Sequence, residues 1–218
     1  MSRTGLIAVA LILLIGSAAA FTRSERLKLQ RSPVGKPKFE RHLSPTCDCH
    51  TATSTLSFLL RRPERLDVSV VDSEGDHVAT LVDRQDFNAG RVSFEWDGRG
   101  DSGEVAPDGI YRLKVRLEHD RRTILIPETI VVDSVAPRIR VLEAVSGADG
   151  ILVRYKADER VRALLLHDGK IVSRAPKRRV GTGRLTWQPM EKGTVTGLTV
   201  VAVDPAGNRS EPVLVAVA

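Results

Sequence analysis

The sequence has few cysteines and few aromatic residues, and it lacks the common motifs of catalytic or cofactor-binding proteins. Its 218 residues include only two cysteines, which excludes a disulfide-rich scaffold. It contains no Gly-x-Ser-x-Gly elbow, no His-Glu-x-x-His motif and no glycine loop that opens a helix to cradle phosphate. We therefore expect a protein that is not an enzyme, with no catalytic residue, no cofactor and no resident metal.

The net charge of +6 is concentrated near the N-terminus. Residues 21–45 contain seven Lys and Arg against two Glu, and the chain beyond residue 45 is nearly neutral as a whole. A nucleic-acid-binding domain would carry its basic charge on the folded surface, so we expect no nucleic-acid partner. The basic segment either keeps a linker soluble or lies against anionic headgroups or wall polymer.

An uncharged segment precedes that basic segment. Residues 5–21 follow Arg3, contain an apolar run and end in small residues, as a secretory signal does. Seventeen residues are also the short limit for a helix that crosses a bilayer. We expect either a single-pass anchor with the body outside the cytoplasm or a secreted chain cleaved near Ala20. The Lys and Arg after the segment would, by the positive-inside rule, favour the opposite orientation.

Strand patterns fill the chain from residue 54 onward, and no segment has helical periodicity. Leu66, Val68 and Val70 alternate with polar residues, as in a half-buried strand. Glycine-rich and proline-containing turns follow at short intervals. The pattern predicts an all-β protein with a membrane or signal segment at 1–21, a basic Pro-containing tether at 22–45, a first domain at 46–136 and a second at 137–218.

The second half of the chain repeats the first. Residues 64–75 and 159–169 each read Glu-Arg, then an apolar strand, then an acidic-Gly turn. A Gly-Arg strand that ends in tryptophan follows each of them, at Trp96 and at Trp187. The repeat is long enough to be a whole small β-domain, duplicated. We expect Trp96, Trp187 and Tyr111 to anchor the cores, because buried aromatic side chains contribute large apolar areas.

Residues 56–133 resemble the FlgD-type Ig-like module of flagellar hook-capping proteins. The resemblance is carried by Trp96-Asp97-Gly98, by Asp101-x-Gly103 and by Pro107-x-Gly109-x-Tyr111. Residues 138–211 are similar to bacterial Ig-like repeats that end in Asp-x-x-Gly-Asn, here Asp204 to Asn208. The resemblance implies two tandem immunoglobulin-like β-sandwiches, and it implies a structural module rather than a chemistry. Hook-capping proteins scaffold filament assembly.

One cluster of metal-ligand residue types lies just before the first predicted strand. Cys47 and Cys49 flank Asp48 and precede His50, with His42 upstream. The two cysteines could form a disulfide, remain free thiols or, with the two histidines, bind zinc. Cys-x-Cys with an adjacent histidine is cramped for one tetrahedral site, and export favours oxidation. We expect the pair beside the tether, at the membrane-proximal end of the first domain.

Two other groups of charged side chains could be binding sites. Asp97, Asp101 and Asp108 share a loop region and could bind Ca²⁺, or they could hydrogen-bond their own turns. A basic stripe on one strand could contact a polyanion, or it could be an ordinary solvated sheet face; it consists of Arg112, Lys114 and Arg116.

Together these features predict a non-enzymatic, membrane-tethered, extracytoplasmic Ig-like protein with a binding or scaffolding role in the bacterial cell envelope. The expected partner is a protein or an anionic polymer such as cell-wall polymer. One alternative is a subunit of an export or appendage assembly. A second alternative is a thiol- or metal-dependent catalyst that uses Cys47 and Cys49.

Overall fold

The computed structural model describes residues 16–17, 32–176, 178–190 and 195–217. From residue 32 onward, the described chain contains fourteen β-strands and no helix, so the predicted all-β class is confirmed. The strands are β1 Val34–Phe39, β2 His42–Leu43, β3 Ser54–Leu60, β4 Glu64–Val71, β5 His77–Phe87, β6 Gly90–Trp96, β7 Gly109–Leu117, β8 Arg122–Val132, β9 Ile139–Gly147, β10 Gly150–His167, β11 Lys170–Arg174, β12 Arg179–Trp187, β13 Leu198–Val203 and β14 Val213–Leu214.

The first eight strands form a two-layer sandwich. One sheet has the order β1-β3-β6, and the other has the order β2-β8-β7-β4-β5. All pairings are antiparallel except that of β2 with β8. Alternate residues of β3 and β7 are buried, because successive side chains of a strand point to opposite faces. The two inner faces therefore pack together as one apolar core.

The second sandwich is built around one long strand. The first half of β10 pairs with β9 and β12, and its second half pairs with β11 and β13. The register with β12 shifts between Ala157 and Val161, where β10 passes from one sheet to the other. The sheets therefore have the orders β9-β10-β12 and β11-β10-β13-β14, and they enclose a second core.

The two sandwiches have the same strand order, as the sequence repeat predicts. In the first sandwich β3 lies between β1 and β6, while β4 lies between β5 and β7. The two halves of β10 occupy the corresponding positions in the second. Pro63 separates β3 from β4, because a proline cannot donate to a central ladder, whereas the second sandwich has no proline at that point and the strand continues. The chain therefore contains two tandem immunoglobulin-like sandwiches.

The start of the first sandwich lies earlier than the sequence predicted. Residues 34–43 were expected in the tether, but β1 pairs with β3 and β2 pairs with β8. Val34 and Leu43 are buried in the first core. The prediction of a tether is wrong for this part, because a short edge strand can contain Pro37 and expose Lys36 and Lys38 without losing its pairing. Residues 22–31 lie outside the described residues.

The predicted core anchors differ in their burial. Trp96 and Tyr111 are buried with ring centroids 5.1 Å apart, and the Tyr111 hydroxyl donates to the Pro107 carbonyl at 2.6 Å. Trp187 is only half-buried at the rim of the second core, where it lies against His167, so its predicted central role is wrong. Tyr155, which is fully buried, holds the central aromatic position instead.

The connection between the sandwiches runs from residue 133 to residue 138, and the predicted boundary at 136–137 falls within it. The predicted membrane or signal segment at 1–21 lies outside the described residues except for Gly16 and Ser17. Within the described chain, no helix is long and apolar enough to cross a bilayer.

The near-neutral charge of the body is the sum of two opposite charges. Residues 46–136 contain 11 Lys and Arg against 17 Asp and Glu, which gives −6. Residues 137–218 contain 14 Lys and Arg against 8 Asp and Glu, which gives +6. The basic character of the chain therefore belongs to the second sandwich as well as to the N-terminal segment.

Candidate functional site at the joint between the sandwiches

The two sandwiches meet at a polar joint made by three segments: the loop 44–53, the connection 133–138 and the turn 204–208. The turn begins at Asp204, whose backbone N–H donates to the Asn208 carbonyl at 3.1 Å. The Asp204 carboxylate accepts from the Asn208 backbone N–H at 3.0 Å. Gly207 has φ +95°, which other residues rarely adopt. This local geometry fixes the Asn208 side chain toward the first sandwich.

Asn208 connects all three segments of the joint. Its Nδ2 donates to the Asp133 carbonyl at 2.8 Å and to the Asp204 carboxylate at 2.7 Å. Its Oδ1 accepts from the Ser44 hydroxyl at 2.6 Å. Ser44 and Asp204 are fully buried, and Asn208 is nearly so. Buried polar groups require hydrogen-bond partners, and separating the sandwiches would leave these groups without them. The Asn208 side chain therefore holds the two sandwiches in one relative position.

The cysteine pair is part of the joint. Cys47 and Cys49 form a disulfide, so neither is a free thiol or a zinc ligand. A Cβ added at Gly207 would lie 2.5 Å from Cys49 Sγ and 2.6 Å from Thr51 Oγ1. The Thr51 hydroxyl donates to the carbonyl of Ala206. The expected position at the membrane-proximal end of the first domain is therefore wrong, because the loop folds against the second sandwich.

A group of three carboxylates lies beside this network. Oxygen atoms of Asp133, Glu159 and Asp204 all lie within 4.8 Å of one another. Burial raises the pKa of Glu159, and the Asp133 and Asp204 carboxylates raise it further. Burial also raises the pKa of Asp133. Arg178 donates to the backbone carbonyls of Val203 and Asp204, which places a cation at the same end of the turn.

Hard cations such as Ca²⁺ bind carboxylate oxygens, and they take six to eight oxygen ligands. The cluster offers three carboxylates, and both oxygens of Asp204 already accept hydrogen bonds from Asn208. Within this cluster, the raised pKa values of Glu159 and Asp133 mean that these two carboxyl groups favour protonation. His42 lies near this cluster, and burial together with Arg41 lowers its pKa.

The aspartates that the sequence grouped as Ca²⁺ ligands have separate partners. Asp97 accepts from the Arg99 backbone N–H in its own turn. Asp101 accepts from the Thr80 backbone N–H and contacts His77 Nε2 at 2.8 Å. The third aspartate, Asp108, accepts from the Ser134 backbone N–H and hydroxyl. The structure therefore does not bring these three side chains together as one site.

The basic stripe of the first sandwich is partly neutralised by acidic neighbours. Arg116 Nε lies 2.9 Å from a Glu118 oxygen and 3.8 Å from an Asp67 oxygen. Lys114 is exposed on the same strand, and Arg112 is half-exposed. The stripe has the character of a solvated sheet face.

The sequence alone did not group the residues of the joint, although several of them lay in motifs that it singled out. Asp204 and Asn208 end the Asp-x-x-Gly-Asn pattern, and Glu159 opens the second copy of the repeat. Contacts between residues 75 or 164 positions apart carry no local sequence signal.

The fold and the joint define a protein of two tandem immunoglobulin-like sandwiches with a buried polar contact between them. Residues 45–120 match the family model of the FlgD Ig-like domain. The resemblance found in the sequence is thereby confirmed for the first sandwich. The match begins in the loop before β3 and ends between β7 and β8.

Several solved structures are similar at low identity. FlgD from P. aeruginosa is 23% identical, with 56% of this chain and 86% of that chain covered and a TM-score of 0.33. A chain in the structure of the Salmonella enterica SafA pilin in complex with the SafB chaperone is 12% identical, with 83% of this chain and 97% of that chain covered and a TM-score of 0.32. The Pseudomonas aeruginosa CupB2 chaperone is 11% identical, with 81% and 97% covered and a TM-score of 0.32. No curated protein matches the sequence. At these identities and TM-scores, the similarities carry no inference about function.

Proposed function

We propose that this chain is a non-catalytic binding or scaffolding protein of the bacterial cell envelope. Its N-terminal segment holds it at the membrane, and its two sandwiches lie outside the cytoplasm. The partner is a protein or an anionic envelope polymer. Cleavage near Ala20, which would release the sandwiches, is the alternative fate of the same segment.

The observation that carries the proposal is where the described chain places its buried polar side chains. Three of its seven buried polar or charged residues, Ser44, Asp204 and Asn208, lie at the joint and bond to one another or to backbone. These three side chains hold one sandwich against the other. The disulfide packs against the same turn, which supports a structural role for Cys47 and Cys49 over a catalytic one.

Localisation is tested with the full chain in a bacterial host. Protease added to wall-stripped cells should digest the sandwiches, and the intact protein should fractionate with membranes or appear shortened near Ala20. The control is Leu13→Arg with Leu14→Arg, which interrupts the apolar run and leaves residues 32–218 unchanged. Full protection of the unaltered chain would place the sandwiches inside and refute the proposal.

A role in an export or appendage assembly is the second candidate. It is favoured by the match of residues 45–120 to the FlgD Ig-like domain. Deletion of the gene should then remove or shorten a surface appendage, and cross-linking in intact cells should join the chain to an appendage subunit. Normal appendages together with cross-links to wall polymer would favour the first candidate.

A further inference from the structure

A cleft in the second sandwich has an arginine-rich lining. It has a volume of about 610 Å³ and lies between the end of β11, the residues that follow it and β12. Among the described residues, the lining includes no acidic side chain and four arginines: Arg154, Arg174, Arg179 and Arg184. Hydroxyl groups of Ser173, Thr182 and Thr186 also line it. The cleft therefore presents hydrogen-bond donors and positive charge, and no described carboxylate in its lining neutralises them.

Most of these guanidinium groups are not neutralised by the protein itself. Within the described residues, the guanidinium groups of Arg174, Arg179 and Arg184 make no hydrogen bond and no ion pair. Arg154, in contrast, has a guanidinium nitrogen 3.1 Å from a Glu143 carboxylate oxygen. An unpaired arginine can give both arms of its planar fork to a carboxylate or a phosphate. These guanidinium groups therefore remain free to bind oxyanions.

Tyr155, another lining residue, adds a second and independent observation. It is fully buried, and its hydroxyl has no hydrogen-bond partner in the described chain. The hydroxyl lies under Gly183, where a Cβ would collide with it. In contrast, the Tyr111 hydroxyl donates to a carbonyl at 2.6 Å. Buried hydroxyls are nearly always satisfied, so an orphan at the wall of a cleft indicates a missing acceptor.

The spacing of two arginines along the backbone of β12 indicates the size of the ligand. Arg179 and Arg184 are five residues apart on β12, which corresponds to roughly 17 Å of strand. That length exceeds a single small anion and suits a chain with several charges. Nucleic acid is less well suited, because an exposed aromatic side chain for stacking on bases is absent from the lining and the first sandwich carries −6.

We propose that this cleft binds an anionic glycopolymer, with the arginines pairing with its oxyanions and the Tyr155 hydroxyl donating to one of its oxygens. Carboxylate and phosphodiester polymers share this chemistry. The inference names a ligand class for the proposed binding role, yet it does not depend on where the protein resides. Binding is measured on purified protein and localisation on cells, so either proposal can fail without the other.

The test uses the full chain in detergent micelles at about 0.15 M salt, where long-range screening is strong. Titration calorimetry is done with an oligogalacturonate for carboxylates and a poly(glycerol phosphate) oligomer for phosphodiesters. Arg179→Gln with Arg184→Gln should weaken binding by about tenfold or more, as expected for lost charge-assisted bonds. The matched control Arg140→Gln, on β9 outside the cleft, should change binding by less than about twofold.

Tyr155→Phe separates this site from a general attraction between charges, because it changes no charge. It should weaken binding several-fold while leaving the melting temperature unchanged or higher, since the orphan hydroxyl is removed. If the double glutamine variant does not fold, Arg179→Lys and Arg184→Lys retain the charge and test the loss of the fork.

Each outcome decides between the proposal and its rivals. Binding of one oligomer identifies carboxylate or phosphodiester as the source, and binding of both supports the shared chemistry. The proposal would be overturned if Tyr155→Phe and the arginine variants bound as tightly as the unaltered chain. It would also be overturned if Arg140→Gln weakened binding as much as the double glutamine variant does. A third contrary result would be tighter binding to duplex DNA that Tyr155→Phe leaves unchanged. Absence of binding to either oligomer would also overturn the proposal.

Discussion

Asn208 Nδ2 donates a hydrogen bond to the backbone carbonyl of Asp133, 2.8 Å away, although 75 positions separate the two residues. The first residue beyond β8 is thereby held by the turn that follows β13. Because Asn208 also accepts from Ser44, a single buried amide reaches both segments of the first sandwich at the joint.

Gly207→Ala should destabilise the protein by about 2 kcal/mol or more. The added Cβ would collide with Cys49 and Thr51, and alanine would be strained at the positive φ of this position. The matched control is Gly75→Ala, where φ is +96° and a Cβ would meet nothing within 4 Å. Urea unfolding of both variants isolates the cost of the close approach. Equal losses would mean that Gly207 is required for its backbone conformation alone.

Glu159→Gln should make stability less dependent on pH. The raised pKa of Glu159 means that its contribution is fully present below the unfolded value of 4.5 and is lost as pH rises through the folded value. At pH 7 the variant should therefore be more stable than the unaltered chain, and the difference should vanish near pH 3.5. Thermal melts across this range, with exposed Glu95→Gln as control, check it. A stability loss at pH 7 would show that the Glu159 carboxylate is needed in its charged form.

The two tryptophans should differ in their contribution to stability. Trp96→Ala should cost about 3–5 kcal/mol, because a fully packed side chain is removed. Trp187→Ala should cost roughly half as much, since Trp187 is half-buried at the rim. Urea unfolding followed by NMR signals of each sandwich measures both. Equal costs would place Trp187 in the centre of its core.

A chain that begins at Ser32 should fold, whereas a chain that begins at Thr46 should be strongly destabilised. The second deletion removes β1 and β2, with buried Val34 and Leu43. Their burial is worth about 3–6 kcal/mol, which corresponds to a fall in Tm of roughly 10 °C or more. Circular dichroism melts of the two chains make the comparison. Identical melting would restore the predicted tether boundary at residue 45.

The sequence predicted the sandwiches because their signal is local. Alternation in β4 and β7 and the repeated Glu-Arg and Gly-Arg strands depend on residues close together in the chain. It missed β1 because Pro37 and two exposed lysines resemble a linker, and the strand becomes evident only from its pairing with β3, which begins at Val34 and Leu60.

The joint was beyond prediction for a different reason. Ser44, Asp133 and Asn208 converge only after both sandwiches have formed, so no spacing in the sequence reveals them. Cys47 and Cys49 were recognised as a possible disulfide, but their contact with Gly207 depends on the same tertiary arrangement.

The most direct test of the central claim, that the polar joint fixes one sandwich against the other, is a set of backbone residual dipolar couplings measured on the chain that begins at Ser32. The couplings of both sandwiches should fit one alignment tensor in the unaltered protein. In Asn208→Ala, which strands the partners of a buried amide at a cost of about 1–3 kcal/mol, they should require two tensors while each sandwich keeps its own couplings. Two independent tensors in the unaltered protein would contradict the claim.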